Sequence, residues 1–129
     1  LIVIGRTLEK RVSSFDTAVT FLAGGIMAGA CSSYHYVYIE ADTMTVGASG
    51  AIFALLGGLV ADMFMTGTKN KKQIILYALL TLLMSSGVRV DNICHIGGFI
   101  SGIIVMVIMT SISQIIADKK VLKGYQMSP

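Results

Sequence analysis

The chain has 129 residues, enough for one domain; 54% are hydrophobic and 13% are charged, about half the charged share of a soluble domain. The apolar residues fall in blocks rather than in amphipathic stripes, which indicates a membrane protein. The single proline and the lack of a low-complexity linker argue against a soluble second domain.

In chain order, residues 1–8 read as the tail of an earlier helix, closed by the charged run Arg6, Glu9, Lys10 and Arg11. A first full span is predicted from Thr17 to Tyr38, between Asp16 and Glu40. A second runs from Thr45 to Met65, with Asp62 near its end. A third, somewhat short, runs from Gln73 to Val88, and a fourth from Ile93 to Ala117. Each is near the ~20 residues of a spanning helix. The fold expected is all-α: a polytopic transmembrane helix bundle with four full spans and the end of a preceding helix.

Charge supports that count independently. Arg6, Lys10 and Arg11 precede the first full span; Lys69, Lys71 and Lys72 separate the second from the third; Lys119, Lys120 and Lys123 follow the fourth. Four alternating spans put all three clusters on one side, the cytoplasm by the positive-inside rule. Of the basic residues only Arg89 falls on the other side, near Glu40, Asp42 and Asp91. The net charge of +3 thus records topology, not nucleic-acid binding.

The second and fourth spans then run in the same direction. Ser49 lies a few residues into the second and His95 a few into the fourth, so both sit at similar depth below the outer surface. Small residues at four-residue spacing let helices approach closely in lipid. Gly50, Ala54 and Gly57/Gly58 mark such a face on the second span; Gly98 and Gly102 mark one on the fourth. If these faces meet, Ser49 and His95 come within hydrogen-bond reach. Gly24, Gly25 and Gly29 suggest close packing of the first full span as well.

A serine hydroxyl is a weak nucleophile until a base takes its proton, and a neutral histidine does so near pH 7. Taken singly, Ser49 reads as a packing serine and His95 as a helix-end residue; matched depth and the glycine faces favour a dyad. Asp91, before an apolar run, reads as a helix cap rather than a triad acid. Cys31 and Cys94, in apolar surroundings without CxxC spacing, read as buried free thiols rather than a disulfide or metal pair. Tyr34, His35, Tyr36 and Tyr38 form an aromatic belt at the outer interface, or lead into a substrate-contacting loop before Ser49. No HExxH zinc motif or GxSxG elbow is present. Leu59-Val60-Ala61 before Asp62 does not match the GxGD of aspartyl intramembrane proteases. No metal or cofactor is implied.

Gly47-Ala48-Ser49-Gly50-Ala51 resembles the GxSGA motif of the rhomboid intramembrane serine proteases. The run from Asp91-Asn92 through His95 to Gly98 and Gly102 resembles their AHxxGxxxG motif, with Cys94 where alanine is common. Gly5-Arg6-Thr7-Leu8-Glu9 resembles the G-x-x-L-E that closes the family's second helix. The resemblance covers the whole chain and implies a rhomboid-like membrane domain over residues 1–129, without the first helix and most of the second. It implies a serine endopeptidase that cuts transmembrane protein substrates in or near the bilayer, with Ser49 as nucleophile and His95 as base. Gly47 and Gly50 would support the oxyanion, Phe53 would pack under the histidine ring, and Gly98 and Gly102 would seat the last helix. Glu9 would bond structurally near the cytoplasmic end, and the stretch from Tyr77 to Val88 would gate lateral entry. Rhomboids carry further oxyanion donors, in a His-x-x-x-Asn motif, just upstream of the region matching Leu1. Residues 1–129 by themselves are therefore expected to be weakly active or inactive; the alternative is an impaired rhomboid-like pseudoprotease that binds membrane clients. The expected location is a multi-pass cell membrane, by default the bacterial plasma membrane.

Overall fold

The structure is a computed structural model that describes residues 2–38, 48–68, 71–84 and 91–126. These form five helices: α1 (Ile2–Glu9), α2 (Ser14–Tyr38), α3 (Ser49–Met65), α4 (Lys71–Met84) and α5 (Asn92–Gln126). No strand occurs among the described residues, so the all-α expectation holds.

Local chemistry sets the helix ends. The Ser13 hydroxyl accepts from the Asp16 N–H at 3.0 Å and donates back to the Asp16 carboxylate at 2.8 Å. This reciprocal cap starts α2 three residues ahead of the apolar run. At the far end of α3, Gly67 has φ 71°, and the Thr68 N–H bonds the Met63 carbonyl at 3.2 Å. That is a Schellman stop, whose left-handed residue favours glycine. The last helix outruns its apolar segment: α5 continues to Gln126, beyond the expected Ala117. Hydropathy marks where the surroundings change, whereas helix propensity carries on through Lys119, Lys120 and Leu122.

Among the described residues two helices, α2 and α5 over 92–121, are long and apolar enough to cross a membrane. The other two expected spans are shorter: α3 has 17 residues and α4 has 14, or roughly 26 and 21 Å against a ~30 Å hydrocarbon core. Residues 45–47 and 85–88, which the sequence reading adds to them, lie outside the described residues.

The core forms around α3. Twelve of its residues are buried, from Gly50 round every face to Met63, as expected of a helix that is apolar all round. It packs against each of the other four helices, most extensively α5 and α2, while α4 leans chiefly on α3. Small residues make this possible. A Cβ at Gly98 would overlap the Gly50 carbonyl, one at Gly102 the Ala54 carbonyl, and one at Gly57 the Phe99 carbonyl. The α3 and α5 backbones therefore touch along a seam, running parallel with an offset of 48 residues between partners 50 and 98 and between 54 and 102. Beside this seam Gly24 meets Ala54 and Gly25 meets Ala51, so α2 runs antiparallel to α3. The Ser101 hydroxyl donates to the Gly24 carbonyl at 3.1 Å and ties α5 to α2. Outward positions such as Leu22, Ile26, Leu79, Leu83, Ile100 and Ile108 are exposed, which suits a lipid surround.

Candidate active site

Ser49 is the first residue of α3, after an N-cap Ala48 that makes no side-chain capping bond. The first intrahelical bond runs from the Ile52 N–H to the Ala48 carbonyl at 3.1 Å. The N–H groups of Ser49, Gly50 and Ala51 therefore have no acceptor within the helix, and they form its positive end. Ser49 is half-buried, and Gly50 beside it is buried. Space at Gly50 is tight: a Cβ there would stand 2.6 Å from Cys94 Sγ and 2.8 Å from Ala28 Cβ. Gly47 lies outside the described residues.

His95 enters from α5, whose start is fixed by Asp91. One Asp91 carboxylate oxygen accepts from the Cys94 N–H at 2.8 Å, and the Asp91 carbonyl accepts from the His95 N–H at 3.2 Å. That is N-cap geometry, as the sequence reading expects of Asp91. The His95 ring is 7% exposed and lies on the Phe53 ring, with centroids 4.3 Å apart and planes inclined by 31°. Phe53 is one turn after Ser49 on the same face of α3. The buried Nδ1 of His95 has no hydrogen-bond partner among the described residues, so no Ser49–His95 bond is made through that nitrogen. The structure thus brings Phe53 to His95, Gly98 to Gly50 and Gly102 to Ala54. An open groove of about 420 Å³ between α2 and α3 reaches Ala48, Gly50 and Cys94, though neither Ser49 nor His95 lines it.

The chain also contains polar contacts that the sequence reading missed. Arg11 bonds the Asp62 carboxylate through Nε and the Thr66 and Thr68 hydroxyls through Nη2, each at 2.9 Å. Asp62 is 3% exposed. An acidic residue inside an apolar run needs such a partner, and that was the available signal. Ser32, 1% exposed on α2, donates to the second Asp91 oxygen; nothing local distinguishes it from a packing serine. Glu9 accepts from the Ser14 hydroxyl at 2.5 Å. The expectation of two buried thiols needs correction at Cys31: Cys94 is buried but Cys31 is exposed, because it stands beside Gly97 of α5, which has no side chain to cover it.

The family model described as Rhomboid domain matches residues 1–112. The chain belongs to the rhomboid family. Similar proteins include RHOMBOID-like protein 4 of Arabidopsis thaliana, 29% identical over 79% of this chain and 26% of its own length. RHOMBOID-like protein 7 of the same plant is 31% identical over 77% of the chain and 32% of its own length. Rhomboid-like protease 3 of Toxoplasma gondii is 28% identical over 78% of the chain and 40% of its own length. The chain thus spans well under half of each of these rhomboid relatives. No solved structure matches it. Family and apolar helices together identify a membrane protein. The relatives are eukaryotic and give no support to the expected bacterial plasma membrane.

Proposed function

We propose that this rhomboid chain carries the serine and histidine of an intramembrane protease that hydrolyses peptide bonds of transmembrane protein substrates. The reading rests above all on His95, a buried imidazole fixed against Phe53, one turn from Ser49, whose Nδ1 has no partner among the described residues. Buried polar atoms are bonded in the great majority of cases. A nitrogen held in place and left unbonded suits a group that exchanges protons.

In this mechanism Ser49 Oγ attacks the scissile carbonyl as His95 takes its proton. The developing oxyanion lies at the positive end of α3, near the backbone N–H groups of its first turn, with Gly47 and Gly50 as the supporting residues of the motif. His95 then protonates the leaving amine, and water releases the acyl group from Ser49 by the same route. Gly98 and Gly102 keep α5 close enough for the exchange. In the full protein, α2 to α5 are four membrane spans with the basic clusters in the cytoplasm, and residues 1–129 form the core of the membrane domain. Lateral entry past the segment from Tyr77 to Val88 delivers the substrate.

A fluorophosphonate probe on the full-length protein in membranes tests the chemistry. Labelling is expected, and both Ser49→Ala and His95→Ala should abolish it in protein that stays folded by helical circular dichroism. Labelling that survives Ser49→Ala, or is indifferent to His95→Ala, refutes the dyad. A folded wild type that binds a transmembrane client but never labels points to a pseudoprotease.

A further inference from the structure

Ser32 has no part in the chemistry above, yet it is among the most deeply buried polar side chains of the chain. Its hydroxyl donates to one carboxylate oxygen of Asp91. The other oxygen accepts from the Cys94 N–H at 2.8 Å, and the Asp91 carbonyl accepts from the His95 N–H at 3.2 Å. One residue therefore joins α2, the first turn of α5 and the backbone of His95.

We propose that Ser32 and Asp91 are a positioning pair that sets the first turn of α5, and with it the place where the His95 ring meets Phe53. The inference rests on the reading of His95 as the base. A cap fixes the first turn relative to the capping residue alone; it does not fix that turn relative to the rest of the protein. Ser32 supplies the outside reference. It lies on the buried face of α2 that carries Thr20, Gly24 and Ala28, two turns beyond the contact of Gly24 with Ala54 and Ser101. The path runs from α3 through α2 to Ser32, then through Asp91 to His95. The tether matters because Gly97 and Gly98 stand two and three residues after His95. They allow close approach but provide no side chain to resist rotation of that turn. A small rotation displaces the imidazole, and misplacement of about 1 Å costs up to about 10²-fold in rate.

The test uses the full-length protein in lipid nanodiscs and two variants that cut the tether at different atoms. Ser32→Ala removes the donor. Asp91→Ser keeps a helix cap of equal standing but is too short to reach α2. The first readout is the NMR resonance of the His95 imidazole, assigned by its loss in His95→Gln and shifted by the Phe53 ring current. The second is the rate of fluorophosphonate labelling at Ser49. Both variants should move the imidazole resonances and slow labelling about tenfold or more. The double variant should be no worse than the more impaired single one, because both act on a single path. Unchanged imidazole resonances in either variant overturn the inference, as do effects that add in the double variant. If the wild type never labels but Ser32→Ala still moves the imidazole, the protease reading fails and the positioning pair stands.

Discussion

At one end of the bundle the Asp62 carboxylate is 3% exposed and bonded by Arg11; at the other the His95 imidazole is 7% exposed and its Nδ1 has no partner among the described residues. The two sites are comparably buried, in helices that touch along one seam. Around Asp62 each polar group serves to close the structure: Arg11 also reaches Thr66 and Thr68, and the Thr66 hydroxyl returns to the Asp62 carbonyl at 2.8 Å. Around His95 the backbone is held by Asp91 and the ring by Phe53, and no described residue bonds Nδ1. An unmet buried polar atom costs about 1–3 kcal/mol. Burial alone therefore does not set the two sites apart; what differs is whether the buried polar atom has a partner among the described residues.

The contrast depends on the seam that joins the two ends. Gly102→Val is expected to have the largest effect of any change considered, because the new side chain meets the Ala54 backbone rather than a movable side chain. The α3 and α5 backbones must separate, and both ends go with them. The expected outcome is loss of folded protein, measured by size-exclusion chromatography and helical circular dichroism in detergent. A folded Gly102→Val variant with normal melting would show that the seam is looser than the backbone contact implies.

Arg11→Ala comes next and acts at the closed end alone. It strands the Asp62 charge in a buried site, at a cost of about 3 kcal/mol or slightly more. Replacing both residues, with Arg11→Met and Asp62→Leu, should recover most of that loss, since an apolar pair of similar volume replaces a buried ion pair at little net cost. Folded Arg11→Ala protein should label at Ser49 like wild type. Impaired labelling in fully folded variant would couple the two ends and break the contrast.

Much of the open end was legible in the sequence because its signals are local or periodic. Gly50 and Gly98 announce the α3–α5 seam by four-residue spacing, and Asp91 announces a cap by standing before an apolar run. The closed end was not legible for the opposite reason. Arg11 and Asp62 are 51 residues apart, and which helices adjoin α1 is not written in either residue's neighbourhood. Arg11 counts as one more cytoplasmic charge until α1 is seen against α3. Ser32 meets Asp91 across 59 residues and is hidden in the same way. Hydropathy placed four apolar segments in order, but it read where the surroundings change rather than where the helix stops, so α5 ends later than expected.

Phe53→Leu tests the open end with a smaller change. Leucine keeps the site apolar and close in volume but removes the ring under His95. Loss of the aromatic pair is expected to cost about 1 kcal/mol in stability. The rate should fall further than the stability, because the imidazole loses the surface that holds its orientation; roughly tenfold slower labelling is expected for a displaced base. Equal fractional losses in rate and in folded protein would assign Phe53 to packing alone.

Ser14→Ala should have the smallest effect, and it separates burial from bonding at the closed end. The Ser14 hydroxyl bonds Glu9 at 2.5 Å, a charge-assisted contact of the kind Arg11 makes with Asp62, but both residues are exposed. In water the broken contact is replaced at once: Glu9 accepts from solvent, and no charge is stranded. Ser13, not Ser14, provides the cap of α2, so the helix start survives. The expected loss is below about 1 kcal/mol, read as a small shift in the denaturation midpoint, with labelling at Ser49 unchanged. A loss as large as that of Arg11→Ala would mean that the bond itself, and not the buried charge it satisfies, holds this end together, and the account given for Asp62 would fail with it.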